Sequence, residues 1–446
     1  MIKNFFLALL VSIFVFIQNA ESALFNIHEF TLNNGLHVVV IENHKAPIIK
    51  QMVWYKVGAV NDGIGKGGRA HFLEHLMFRG TDKVKDGEFN NLMENNGISS
   101  NAFTGYEVTA YHEFADISKL ELIMALEADR MRGLNFDEKA FNTEKQVVIQ
   151  ERNQVIENDP SAPFYERFAQ IIWGNNPFGR PITGLKEEIE ALSYDDVKEF
   201  YNRYYSPKNA ILVLAGDITP DEAKPLVKKY FGNIKNLYVK ARFEETPVLR
   251  ENFSQRLEMS LPDITTPRIV WKYILPPFSK LKGFVYDYEA LAQYLGSGKT
   301  SALYRDLVLD KKIALSVGAN FKFITRSNAE FSIFLKPADG VSITQAQDAL
   351  KESLNKAIIE LNEKKLASIK KKLVADLVYL RDNPSDSAYL AGYILTTGFS
   401  LELLQNNEED IKKITLKGVK DAYREVFFNS ANATGVLLPQ PKEDEK

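Results

Sequence analysis

The chain has 446 residues, with 55 Lys+Arg against 58 Asp+Glu, a formal net charge of −3, 6 His and no Cys. Its length accommodates two or more folded units, and the near balance of charge argues against nucleic acid as the main partner. The lack of Cys excludes disulfides, thiolate nucleophiles, Cys-ligated metal and Cys lipidation, and all histidines (His28, His37, His44, His71, His75, His112) precede residue 113, so histidine chemistry belongs to the first quarter of the chain.

Residues 1–22 read as a signal peptide: Lys3, an apolar run of 13 residues from Phe5 to Ile17, then the small or polar QNAESA. A comfortable membrane span needs about 20 apolar residues, so the run suits a cleaved leader, with Ala20-x-Ser22 as the small-x-small site and Ala23 as the mature start. An uncleaved anchor is the alternative. No later window approaches the length of a span, so the mature chain is expected to have no stable membrane span and to be exported, periplasmic or secreted.

Residues 36–42 (LHVVVIE) and 48–57 (IIKQMVWYKV) read as strands, whereas 119–133 carries Leu120, Ile123, Met124, Ala128 and Met131 at helical spacing. The run AILVLAGD (210–217) predicts a buried strand, followed by Thr219-Pro220, a cap and first turn for the next helix. This alternation predicts mixed α/β units. A weak internal repeat organises them: 197–214 resembles 419–438, and 137–160 resembles 362–384, at nearly one offset of 222 to 225 positions. The chain therefore divides into a first half (23–235), a charged linker (236–250) and a second half (251–446).

The sharpest local feature is GKGGRAHFLEHLMFRGT (65–81), in which a glycine-rich turn feeds an apolar helix carrying His71 and His75. Positions i and i+4 share a helix face, so both imidazoles can reach one ion at about 2.0–2.1 Å. Glu74 lies between them, near the same face, where a general base acting on a water held by the metal would sit. Two histidines at this spacing also occur as solvated or core pairs, so a third ligand decides the matter. Without Cys or a later His, it must be an Asp, a Glu or another early histidine. The helix predicted over 138–156 offers Glu144 and Glu151, seven apart on one face.

The HFLEH segment (71–75), with Glu151 placed 76 positions after His75 and Glu144 before it in TEKQVVIQER, resembles the inverted-motif zinc peptidases of the pitrilysin, insulinase and mitochondrial-processing-peptidase type. The resemblance extends over FTLNNGLHVVVIEN (30–43), SSNAFTGYEVTAYHEF (99–114), NPFGRPITG (176–184) and the two-half layout. It implies an α+β fold of two homologous α/β domains, each a mainly antiparallel sheet flanked by helices. It further implies that His71, His75 and Glu151 ligate Zn2+, that Glu74 is the base, and that Glu144 orients a ligand. Asn101, Ala102 and Phe103 match the edge strand onto which an extended peptide substrate adds; without the resemblance this segment reads as an ordinary turn into a strand.

The second half departs from the pattern. Single-chain relatives place an Arg and a Tyr there against the scissile bond, and ungapped matching puts Val308 and Leu315 at those positions, with Tyr304 and Arg305 out of register. The resemblance thus implies a zinc-dependent endopeptidase acting on short or unfolded peptides as the catalytic subunit of a two-chain assembly. A paralogous partner or a second copy of the chain would complete it. A non-catalytic scaffold or regulatory subunit is the alternative, and peptide binding without cleavage a weaker one. Asp376 falls where the repeat places Glu151. The GSGKT segment (296–300) is not a phosphate loop, because Gln293 stands at the first glycine position and a helical stretch precedes it.

Overall fold

Long apolar alternations become two sheets, and the helices pack on their faces. The structure, a computed structural model, describes residues 25–236 and 253–440. The leader (1–22), all of the 236–250 linker but Asn236, and the C-terminal tail lie outside the described residues. Strands β1 (Ile27–Thr31), β2 (His37–Glu42), β3 (Ile48–Tyr55), β4 (Ser99–Thr104), β5 (Thr109–Asp116) and β6 (Ala210–Gly216) form the first sheet in the order β1-β2-β6-β3-β5-β4. The second sheet joins β7 (Ser254–Leu261), β8 (Arg268–Leu275), β9 (Ala314–Lys322), β10 (Ala329–Pro337) and β11 (Ala431–Pro439) in the order β7-β11-β8-β10-β9.

Without β1 the two orders correspond strand for strand. Each sheet is antiparallel throughout except for one pair, β2 with β6 and β7 with β11. The sequence repeat is this topology: β6 and β11 each follow a helix, Tyr194–Tyr204 and Leu416–Arg424, and the long helices Glu138–Asn158 and Glu363–Asp382 occupy equivalent places. The chain is thus an α+β protein of two similar units. At the end of β6, Thr219 accepts a hydrogen bond from Glu222 N with Pro220 in the first helical turn, the cap that Thr-Pro predicts.

The strand β6 is buried along its whole length, as an unbroken apolar run requires when both faces of a sheet are covered. Leu212 and Leu214 join Phe72, Leu73, Leu76 and Val148 on one face. Ile211, Val213 and Ala215 meet Met52, Trp54, Ala388, Ala391 and Ile394 on the other. The last three belong to the helix Pro384–Thr396, which comes from the second half. In return the helix Ala162–Trp173 packs Phe164, Phe168 and Ile172 against Val270, Ile274, Ala433 and Leu437 of the second sheet. Both helices directly follow the long helix of their own half, so equivalent elements are exchanged. Glycines permit the close approach: a Cβ on Gly392 would lie 2.0 Å from Trp54 Nε1, and one on Gly435 2.7 Å from Phe164 Cζ. A polar tie accompanies the packing, because buried Glu107 in the β4–β5 turn accepts from Thr325 Oγ1 at 2.9 Å and Arg326 N at 3.1 Å.

Candidate functional site

The histidine helix, Arg69–Leu76, is anchored where its chain enters. Gly68 adopts φ +84°, and a Cβ there would lie 2.4 Å from Thr183 O, so a side chain is excluded twice over. Buried Asp62 accepts from Gly68 N at 2.9 Å and Ala70 N at 2.8 Å, satisfying two donors of the first turn. Ala70, Phe72, Leu73 and Leu76 enter the core, which turns His71, Glu74 and His75 toward the helix Glu138–Asn158 and β4.

The i, i+4 spacing places the two imidazole centroids 4.8 Å apart. Glu151 faces both, its Oε2 2.9 Å from His75 Nε2 and its Oε1 3.6 Å from His71 Nε2. The ligand atoms of His71, His75 and Glu151 all lie within 4.8 Å of one another. Two turns earlier on the same helix face, Glu144 Oε1 is 2.9 Å from His75 Nδ1, and Glu144 Oε2 is 2.9 Å from Arg79 Nε. With a carboxylate oxygen 2.9 Å from each nitrogen the free His75 ring donates from both; loss of the Nε2 proton leaves Nδ1–H on Glu144 and a lone pair at Nε2 on the Glu151 side. Two imidazole nitrogens and one carboxylate are the donor set of an open tetrahedral zinc site, and their spacing lets them close on one ion.

The electrostatics favour a cation at this point. Burial, with His75 alongside, pushes His71 down to about 4, so its imidazole is neutral as a metal ligand must be. At His75 burial opposes the charged form, but the hydrogen bonds to Glu144 and Glu151 outweigh it and raise the group to about 9. Burial also raises Glu74, partly offset by Thr104, whose Oγ1 donates to Glu74 Oε2 at 2.5 Å.

Thr104 ends β4, an edge strand that among the described residues pairs only with β5. Strand alternation puts Ala102 and Thr104 on the face toward the histidine helix. Asn101 and Phe103 lie on the opposite face, where the Phe103 ring is 5.4 Å from Trp54 and 5.5 Å from Tyr389. The structure therefore brings His71, Glu74, His75, Glu144 and Glu151 together, with Ala102 beside them and Asn101 and Phe103 behind the sheet. Sequence reasoning missed Thr104 and Arg79. Period-two alternation from Ala102 would have pointed to Thr104; no local signal marks Arg79.

In the second half Val308 packs against that half's core, and Leu315 is 51% exposed on β9. Arg305 lines a cavity of about 460 Å³ made wholly of second-half residues. Asp376 receives a hydrogen bond from Gln293 Nε2 at 3.5 Å, where the first half has histidine and glutamate. His28, His37 and His44 pair with carboxylates at the surface, and His112 lies on β5.

A family profile described as Insulinase (Peptidase family M16) matches residues 37–186, and one described as Peptidase M16 inactive domain matches residues 191–373. The zinc protease PqqE of Helicobacter pylori is 31% identical over 428 residues, covering 92% of this chain and 94% of that one. The crystal structure of a protease from Helicobacter pylori aligns with a TM-score of 0.83 at 29% identity, over 93% of this chain and 99% of the other. The periplasmic protease PqqL from Escherichia coli, 18% identical, shares the fold with a TM-score of 0.79; 93% of this chain aligns to 48% of PqqL.

Proposed function

This chain belongs to the insulinase family (peptidase family M16), and we propose that within it the chain is a zinc-dependent endopeptidase cleaving extended peptides docked on β4. The observation that carries this reading is the convergence of His71, His75 and Glu151 within 4.8 Å beside Glu74, which hydrogen-bonds Thr104 of the edge strand. His71, His75 and Glu151 would hold the zinc. When bound, the metal supplies Lewis acidity that polarises the scissile carbonyl and acidifies water. Glu74 keeps its Oε2 on Thr104, so its Oε1 is the atom that takes the proton from the attacking water and returns it to the leaving amine. Glu144 holds the His75 proton on Nδ1. The unpaired edge of β4 supplies main-chain groups that align an extended substrate next to Glu74.

The second half contributes no donor at Val308 or Leu315, which supports completion of the site by a paralogous partner subunit or a second copy. The 1–22 leader supports export to the periplasm or beyond, and no helix among the described residues is long and apolar enough to cross a membrane. The inactive-domain match over 191–373 lies outside the half that carries His71, Glu74, His75 and Glu151, so the competing reading of a non-catalytic subunit rests on the missing Arg/Tyr pair. Turnover of a quenched peptide library by the zinc-loaded chain, alone and with a candidate partner, separates them. Glu74→Gln should abolish cleavage while retaining zinc; equal rates for both proteins in every combination would rule out the enzyme.

A further inference from the structure

Behind the metal site, the same sheet buries a cation that no described carboxylate pairs with directly, Glu113 acting on it only through the sheet. The strand registers set Asn101 opposite His112, His112 opposite Met52 and Phe114 opposite Lys50, so Lys50, Asn101, Phe103 and His112 share the face turned away from His71 and His75. Lys50 is 6% exposed, and its ammonium lies 2.7 Å from His112 Nδ1. No described carboxylate pairs with it. Glu113 points to the other face, where it receives Arg130 Nη2 at 3.2 Å, and Asp116, at the exposed strand end, accepts from Ser118 N. Burying an ammonium with a single neutral acceptor is costly unless something else meets it.

The hydrogen-bond roles are fixed by chemistry. Lys50 can only donate, so His112 Nδ1 accepts and the imidazole proton sits on Nε2. Burial and the neighbouring Lys50 push His112 down to about 4, and burial pulls Lys50 down to about 8, so the pair carries one positive charge at neutral pH. Asn101 Oδ1 is occupied by Ala102 N at 2.8 Å, which leaves its Nδ2 as a donor. Three donor groups and one charge, with no acceptor among them, select a carboxylate. A peptide added to β4 would lie about 4.8 Å from β4 and twice that from β5, and every second side chain would project over this face. An acidic side chain and the His112 ring each span about half of that distance.

Resting on the reading of β4 as the docking edge, we propose that Lys50, His112 and Asn101 form a subsite for a substrate carboxylate. The carboxylate belongs to an acidic residue, or to the C-terminus of the peptide, within about four positions of the scissile bond. The peptidase is therefore biased toward acidic peptides or toward peptide ends.

The test measures binding of fluorescein-labelled peptides to the zinc-loaded Glu74→Gln chain by anisotropy, so turnover plays no part. Three peptides share one sequence: one with Glu near the centre and an amidated C-terminus, one with Gln there and an amidated C-terminus, and the Gln peptide with a free C-terminus. Tenfold tighter binding of the Glu peptide, or of the free-ended peptide, over the amidated Gln peptide is expected and identifies the source of the carboxylate. Lys50→Met on the same background should erase that preference without weakening the amidated Gln peptide. His112→Leu should reduce it too, and stands in should Lys50→Met misfold. Equal binding of all three peptides overturns the subsite alone, as does a preference that survives both substitutions. Binding of none overturns the docking reading as well.

Discussion

His71 and His75 are not held alike. His71 Nδ1 is buried with no hydrogen-bond partner among the described residues, so core packing does most to orient that ring. The His75 ring is fixed by Glu144, and Glu144 in turn lies against Arg79, which also approaches Asp86 at 3.5 Å. A carboxylate held between an imidazole and a guanidinium is fixed in position, and outer partners of this kind typically contribute 10- to 100-fold in metal affinity. Arg79→Leu should therefore lower zinc affinity by about that factor, measured by competition with a chelator, and leave the fold intact by circular dichroism. Arg79→Lys, which keeps the charge, should recover most of it. Wild-type affinity in Arg79→Leu would show that Glu144 needs no counter-ion.

At the level of elements, what the sequence revealed was what local spacing encodes. The i, i+4 histidines with Glu74 between them, the Thr219-Pro220 cap and the unbroken run of β6 are short-range patterns, and each appears where the pattern places it. Glu144 and Glu151 share a helix face by their spacing, but their choice among carboxylates came from family resemblance. The exchange of Ala162–Trp173 and Pro384–Thr396 was not legible, because an apolar helix face does not specify which of two similar sheets it will cover. Its trace is the small side chains Ala388, Ala391 and Gly392, which let the helix lie close to Trp54. A methyl at Gly392 would overlap the Trp54 ring at 2.0 Å from Nε1 and at similar distances from two ring carbons. Gly392→Ala should cost about 1–3 kcal/mol by overpacking and shift the emission of Trp54. An unchanged melting temperature and spectrum would mean that the helix can lift off without loss.

For the whole molecule, the exchange changes what a domain means here. Division of the chain at 236–250 separates two similar folds but cuts through two shared cores. The first half alone would expose Met52, Trp54, Ile211 and Val213, and the second half alone would expose Val270, Ile274 and Leu437. Contiguous apolar faces of this kind drive aggregation. Residues 23–235 and 251–446 expressed separately should each bind a hydrophobic dye and fail to melt cooperatively. Refolded together, they should elute as one complex with a single transition. Two stable, independently melting halves would show that the exchanged helices are dispensable. The helix Pro384–Thr396 also brings Tyr389 to Phe103 on β4, and Thr325 and Arg326 hold Glu107 at the adjoining turn. The half without histidines thus supports the strand that carries Thr104, and through Thr104 the carboxylate of Glu74. Loss of the second half should therefore remove peptide binding at β4 together with stability, even though every metal-facing side chain belongs to the first.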